Sequence, residues 1–152
     1  MIRWQCSSYA SLSCDELYAI LALRQTVFVV EQHCPYLDAD GADDCSWHLM
    51  GWEGEERDRQ LVAYLRIVFP GVNYEEPSLG RVVTAPSVRG RGIGRKLTAQ
   101  AIARAQELYP DTALRISAQH YLLAFYSEFG FAAVGDPYDE DGIPHIEMLR
   151  VA

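Results

Sequence analysis

The sequence predicts one α/β (α+β) domain, residues 1–152, built on a mixed, mostly antiparallel sheet with helices on both faces. Three observations predict it. The chain has 152 residues, 49% hydrophobic and 22% charged, which suits one packed core and is too short for two comfortable ones. Its apolar residues recur with a period of two in some segments and of three to four in others. These segments follow the order β, α, β, β, β, α, β, α, β, β, and three strands in succession suggest an antiparallel meander.

The opening IRWQC alternates as a first strand. Ser13, with Glu16 three positions on, has the spacing of a capping box. Leu17, Ile20, Leu21, Arg24 and Phe28 then recur with helical period, so a helix is expected from about Cys14 into the late twenties. From Glu31 to Ser46 the chain is polar and broken by Pro35 and Gly41, which predicts a loop or a short irregular helix. HLMGWEG and QLVAYLRIVFP read as strands around the charged turn GEERDR, and SLGRVVT as a third. Leu97, Ala101, Ala105 and Leu108 give a helix that ends before Pro110. ALRISAQ is a strand, YLLAFYSEF a short helix stopped by Gly130, and FAAVGDPY and HIEMLRV are closing strands across DEDGIP.

Charge is distributed unevenly. The formal net charge is -8, and eight acids fall between Asp38 and Asp58. No Asp or Glu occurs from Pro77 through Gln106, a window that holds Arg81, Arg89, Arg91, Arg95, Lys96 and Arg104. One basic island on an acidic protein argues against a nucleic-acid surface, which needs a wide positive face, and for a compact, multiply charged anion. Cys6, Cys14, Cys34 and Cys45 lie 8, 20 and 11 positions apart, a spacing that fits neither a metal site nor a dense disulfide framework, so free thiols are expected. The stretch DADGADD has glycine fourth rather than sixth and lacks the closing glutamate of a calcium loop, so no metal is expected. No segment approaches about 18 uninterrupted apolar residues, and no apolar run follows the N-terminal arginine. The expectation is a soluble cytoplasmic protein with no membrane partner.

The centre of the basic island is VRGRGIGRKL, residues 88–97, with three glycines and four bases. A strand, a glycine-rich turn and a helix together expose unpaired backbone N–H groups, which favour an anion. The P-loop pattern fails because Arg95 and Leu97 flank Lys96 wrongly, and the dinucleotide fingerprint fails because position 95 is not glycine. The pattern that fits is R-x-x-G-x-G at Arg89, Gly92 and Gly94, preceded by GRVVT and Pro86. Here the chain resembles the GCN5-related N-acetyltransferase (GNAT) superfamily. A second match is Tyr126 four before Gly130-Phe131, with Gln119 and Leu122 standing where the family often has Asn and Ala. VFVVEQHCPYLDADGADD and EDGIPHIEM are similar to the ElaA subfamily and extend the likeness over nearly the whole chain. Arg24, Phe28, Glu31, Asp38 and Asp40 also resemble a pattern of acyl-homoserine-lactone synthases.

The resemblance implies a GNAT-type sheet opened by splayed middle strands, and acetyl-coenzyme A as co-substrate. It implies transfer of the acetyl group to the primary amine of a small-molecule or peptide acceptor, and it allows a homodimer. By the same resemblance Val82, Val83 and Thr84 pair with the pantetheine arm. Arg89, Gly90, Arg91, Gly92, Ile93, Gly94 and Arg95 hold the pyrophosphate, and Gln119 touches the cofactor. Tyr126 is the expected general acid on the leaving sulfur. Glu31 is a candidate base, and Arg24, Phe28, Asp38, Asp40 and His145 are candidate acceptor residues. Acids in the Asp38 region suit a cationic amine, and equally a solvated loop. His33, His48 and His120 read as surface or core histidines. A longer acyl donor, or a coenzyme A binding module without catalysis, are the competing readings.

Overall fold

The computed structural model describes all residues, Met1–Ala152. Seven strands form one sheet: β1 (Ile2–Ser8), β2 (Ser46–Glu53), β3 (Gln60–Val68), β4 (Ser78–Thr84), β5 (Leu114–Gln119), β6 (Ala132–Glu140) and β7 (Ile143–Arg150). Their order across the sheet is β1-β2-β3-β4-β5-β7-β6. All neighbours are antiparallel except β4 and β5. The expected meander is β2-β3-β4, and the mixed, mostly antiparallel sheet is as the sequence predicts.

Helix α1 (Cys14–Arg24) starts at a full capping box: Ser13 Oγ accepts from the Glu16 N–H, and the Glu16 carboxylate accepts from the Ser13 N–H. It ends as an α-helix at Arg24, earlier than the periodicity suggests, and continues as a π-helical segment, Gln25–Glu31. There the Gln32 N–H reaches Val27 O at 3.0 Å and the Cys34 N–H reaches Val29 O at 3.1 Å, five residues back in both cases. Wider turns of this kind occur preferentially at functional sites. Ile20, Leu23 and Val27 pack on Met50, Trp52, Tyr64 and Val83 on one sheet face. Helix α2 (Ile93–Leu108) lays Ile93, Leu97, Ala101 and Ala105 on the other, against Leu65, Ile67, Leu79 and Ile116. Central strand β3 is therefore buried from Leu61 to Val68, as a strand covered on both faces must be.

The short helix α3 (Leu123–Ser127) follows a single 3₁₀ turn, His120–Leu122. It closes with the Phe131 N–H donating to Tyr126 O and the Gly130 N–H donating to Ser127 O, the paired bonds of a glycine-terminated helix end. Phe131 is buried and packs edge-on against the Tyr126 ring. The Tyr-x-x-x-Gly-Phe spacing is thus a device that fixes Tyr126. The β6–β7 hairpin is tighter than expected: the turn is only Asp141-Gly142, both with positive φ (53° and 81°), and Asp-Gly is the pair such two-residue turns favour.

Candidate functional site

The sheet parts in its middle. Strands β4 and β5 pair only at Ser78↔Arg115 and Leu79↔Ile116, so from Gly80 onward β4 has no neighbour on that side. On its other side Leu65 of β3 faces two residues, Arg81 and Val82, because the register between Tyr64↔Val83 and Arg66↔Gly80 shifts by one. Arg81 takes φ 52°, costly for a side chain with a Cβ, and is held there by Asp38, 2.8 Å from its Nε. The bulge bends β4 away from β5. A cavity of about 930 Å³ fills the gap. Gly80 to Thr84, Ala118, Gln119, Leu122 and Tyr126 line it, as do Val27, Phe28, Glu31, Arg89 and His145.

The glycine-rich turn follows Arg89 of the cavity lining, and residues 90–95 themselves do not line the cavity. Gly92 (φ 73°) precedes α2 with no side-chain cap, and the first helical bond runs from the Lys96 N–H to Gly92 O at 3.3 Å. The amides of Ile93, Gly94 and Arg95 are left without helical partners. A Cβ placed on Gly90, Gly92 or Gly94 would meet nothing within 4 Å, so the backbone lies open to a large anion. The arginines are not free. Arg89 holds Glu31 through two bonds of 2.9 and 2.7 Å, Arg91 holds Glu53 at 2.7 Å, and Arg95 holds Glu128. Each guanidinium keeps its carboxylate below the usual range.

Tyr126 is on the cavity wall at 5% exposure, and burial pushes its phenol up to about 12. Its neighbour Phe125 packs on Phe129 instead, which separates two aromatics that periodicity leaves equivalent.

The candidate acceptor residues divide. Phe28, Asp38, Asp40 and His145 reach the cavity. Arg24 does not: it is fully buried, with Nε 2.7 Å from Asp38, Nη1 2.6 Å from Asp43 and Nη2 3.1 Å from Asp38 O. Its helical register turns it into the protein, and it props up the acidic loop. Asp38 and Asp40 are not open receptors for a cation, because Arg24, Arg66 and Arg81 take up their oxygens. Asp40 is held far below its ordinary value, chiefly by the hydrogen bond from Arg66. Glu31, ionised against Arg89, is a poor proton acceptor.

Other cavity residues escaped sequence reasoning: Tyr74 before β4, Ser117 on β5, Glu140 and Asp141 at the hairpin. Ser117 and Gln119 share a face with Glu147 and His145 only because β5 pairs with β7 in that register, and alternation within one strand does not reveal its partner. His48 is a core histidine: its Nε2 donates to Asp43 O at 2.8 Å and its Nδ1 accepts from the Tyr64 hydroxyl at 2.7 Å.

Residues 55–151 match the family model of the acetyltransferase (GNAT) domain. The chain belongs to the GNAT superfamily. Within it, the GNAT chain is 42% identical to Protein ElaA of Escherichia coli over 152 residues, covering 99% of this chain and 97% of that one. It is 52% identical to a UPF0039 protein of Synechocystis, covering 97% and 94%. Its fold superposes on an acyl-CoA N-acyltransferase from Pseudomonas aeruginosa with a TM-score of 0.93 at 44% identity, covering 99% and 100%. It superposes on Escherichia coli ElaA with a TM-score of 0.90 at 41% identity, covering 99% of each chain. The ElaA-like grouping expected from the terminal segments therefore holds, and GNAT acyltransferases take acyl-coenzyme A as co-substrate. No helix of this GNAT chain is long and apolar enough to cross a membrane.

Proposed function

We propose that the 152 residues act as one unit that transfers the acetyl group of acetyl-coenzyme A to a primary amine by direct attack on the thioester. The observation that carries it is the parting of β4 from β5, with Tyr126 on the wall of the gap and the bared amides of the glycine-rich turn following Arg89 of its lining. The open glycines fit a pyrophosphate, and the unpaired edge of β4 from Val82 to Thr84 fits a pantetheine arm that needs backbone partners. Bound there, acetyl-coenzyme A supplies the electrophilic carbonyl and the thiolate leaving group. The bulge leaves Val82 outside the β3 ladder, so its amide is available to the carbonyl oxygen as charge develops on it. Gln119, at the end of β5, offers a side-chain amide to the arm. Arg89, Arg91 and Arg95 exchange their carboxylates for phosphate oxygens. Tyr126 stays protonated across the working pH range and donates to the sulfur. Phe28 lines the acceptor side, and Asp38 and Asp40 shape its wall through their arginines.

The test is a panel of amines assayed for thiol release with acetyl- and octanoyl-coenzyme A. Acetyl transfer to at least one amine is expected. Faster octanoyl transfer would move the reading to a longer acyl donor. Tight coenzyme A binding with no thiol release from any amine would leave a binding module.

A further inference from the structure

An amine at neutral pH is an ammonium, and something on the wall must take its proton before attack. His145, the third residue of β7, is 8% exposed and lines the cavity beside Gln119, its register partner on β5. Its Nδ1 lies 2.7 Å from Ile143 O. A carbonyl only accepts, so this contact holds a proton on Nδ1 and leaves Nε2 as the nitrogen that gains or loses one. Nε2 is 3.2 Å from the carboxylate of Glu140, whose side chain is 53% exposed. The imidazole stacks on Tyr138, centroids 6.2 Å apart, and the Tyr138 hydroxyl is tied to Ser117. Ring orientation and a neighbouring anion, which bonds Nε2 only when that nitrogen carries a proton, are both supplied by the β6–β7 hairpin.

We propose that His145 is the general base of the acyl transfer and that Glu140 is its positioning partner. The proposal rests on the amine-transfer reading above. An ammonium entering this corner meets two adjacent acceptors, Nε2 and the Glu140 carboxylate. One proton passes to Nε2, and the imidazolium donates both its N–H bonds, to Ile143 O and to Glu140. The freed amine forms the C–N bond as the C–S bond breaks. The second proton on nitrogen passes by way of solvent to the Tyr126 phenolate, replacing the one Tyr126 gives to sulfur, and the first leaves to solvent from His145. Acids from several elements surround the ring: Glu140 comes from β6, Asp141 from the turn and Glu147 from the same face of β7, with the phenols of Tyr74 and Tyr138 beside them. The cationic neighbours are already engaged, Arg115 by Glu76 and Arg66 and Arg81 by Asp38, Asp40 and Asp43. This arrangement does what a free carboxylate at Glu31 does not, because Glu31 is spent on Arg89.

The test pairs two amines of nearly equal size, ethylamine and trifluoroethylamine. The second is largely free base at neutral pH and needs no base. With acetyl-coenzyme A at pH 7, His145→Gln should lower kcat/KM for ethylamine by about 10²-fold or more, and for trifluoroethylamine by less than about threefold. Glu140→Gln should cost about three- to tenfold with ethylamine, and Glu140→Asp should restore most of it. Coenzyme A affinity should not change. Equal losses with both amines would make His145 merely structural and overturn the proposal while the amine-transfer reading stands. A wild-type enzyme that releases no thiol with these two or any other amine of the panel would instead overturn the reading beneath it, and the proposal with it. Independently, nitrogen-15 shifts should show neutral His145 protonated on Nδ1, and a proton on Nε2 would overturn the proposal whatever the kinetics.

Discussion

Arg24→Met removes one guanidinium and keeps most of its apolar stem. In the native protein that guanidinium makes three hydrogen bonds with no solvent contact, to Asp38, Asp43 and the Asp38 carbonyl. Breaking a buried ion pair from one side costs about 3–5 kcal/mol, because the partner charge remains buried. The lower end applies here. Asp38 keeps Arg81 at 2.8 Å and Asp43 keeps Arg66 at 2.9 Å, so neither carboxylate is left alone. About 3 kcal/mol on a chain of this size lowers the thermal midpoint by roughly 6–12 °C. Thermal and urea unfolding followed by circular dichroism measure it, alongside KM for coenzyme A and for the acceptor. A midpoint within 2 °C of wild type, with a raised acceptor KM, would refute the burial argument and return Arg24 to the substrate site that its spacing suggests.

Three further outcomes are expected. Tyr126→Phe should lower kcat by about 10²- to 10³-fold and leave coenzyme A affinity within twofold by calorimetry; unchanged turnover removes Tyr126 from the mechanism. Glu31→Gln should tighten coenzyme A binding by about two- to fivefold at low salt, since an exposed pair of modest strength no longer competes with phosphate, and the gain should shrink in 0.5 M salt; weaker binding would mean that Glu31 assists the cofactor. Stability should fall with pH in two stages. Burial pushes the His48 imidazole below its ordinary value, so below about pH 6.5 the unfolded chain binds a proton the native one excludes, at up to about 1.4 kcal/mol per pH unit. Asp40 and Asp43 are depressed by Arg66 and Arg24. Their contribution is present above about pH 4, the unfolded value, and is lost as pH falls below it. Urea midpoints from pH 8 to 3 follow both stages, and His48→Gln should flatten only the first.

What was legible in the sequence is what local chemistry decides. The capping box, the glycine-rich turn and the Tyr-Gly-Phe helix end are each set by residues within six positions of one another, so spacing reveals them. The strands of the meander are neighbours in sequence and in space. The splay between β4 and β5 was expected only through family resemblance, because it arises from a parallel pairing across about 35 residues and from a bulge at Arg81, where a non-glycine residue takes a positive φ that Asp38 holds in place. Charge was the least legible quantity. The arginines of the glycine-rich turn and the acids they meet are separate in sequence, and only the fold brings them together.

That pairing resolves how four bases can crowd an acid-free stretch of an acidic protein. Glu31 comes from the π segment, Glu53 from the end of β2 and Glu128 from the residue after α3, and each meets a different arginine of the turn. The repulsion among Arg89, Arg91 and Arg95 is relieved by acids drawn from three elements. The same three contacts tie the turn to the π segment, to β2 and to the end of α3 before any ligand arrives, so less ordering remains to be done on binding. Under the proposed function, phosphates arriving there would replace carboxylates already in contact. The net electrostatic gain is then smaller than a count of basic residues suggests, and specificity falls to the amides and open glycines, which no carboxylate of the protein occupies.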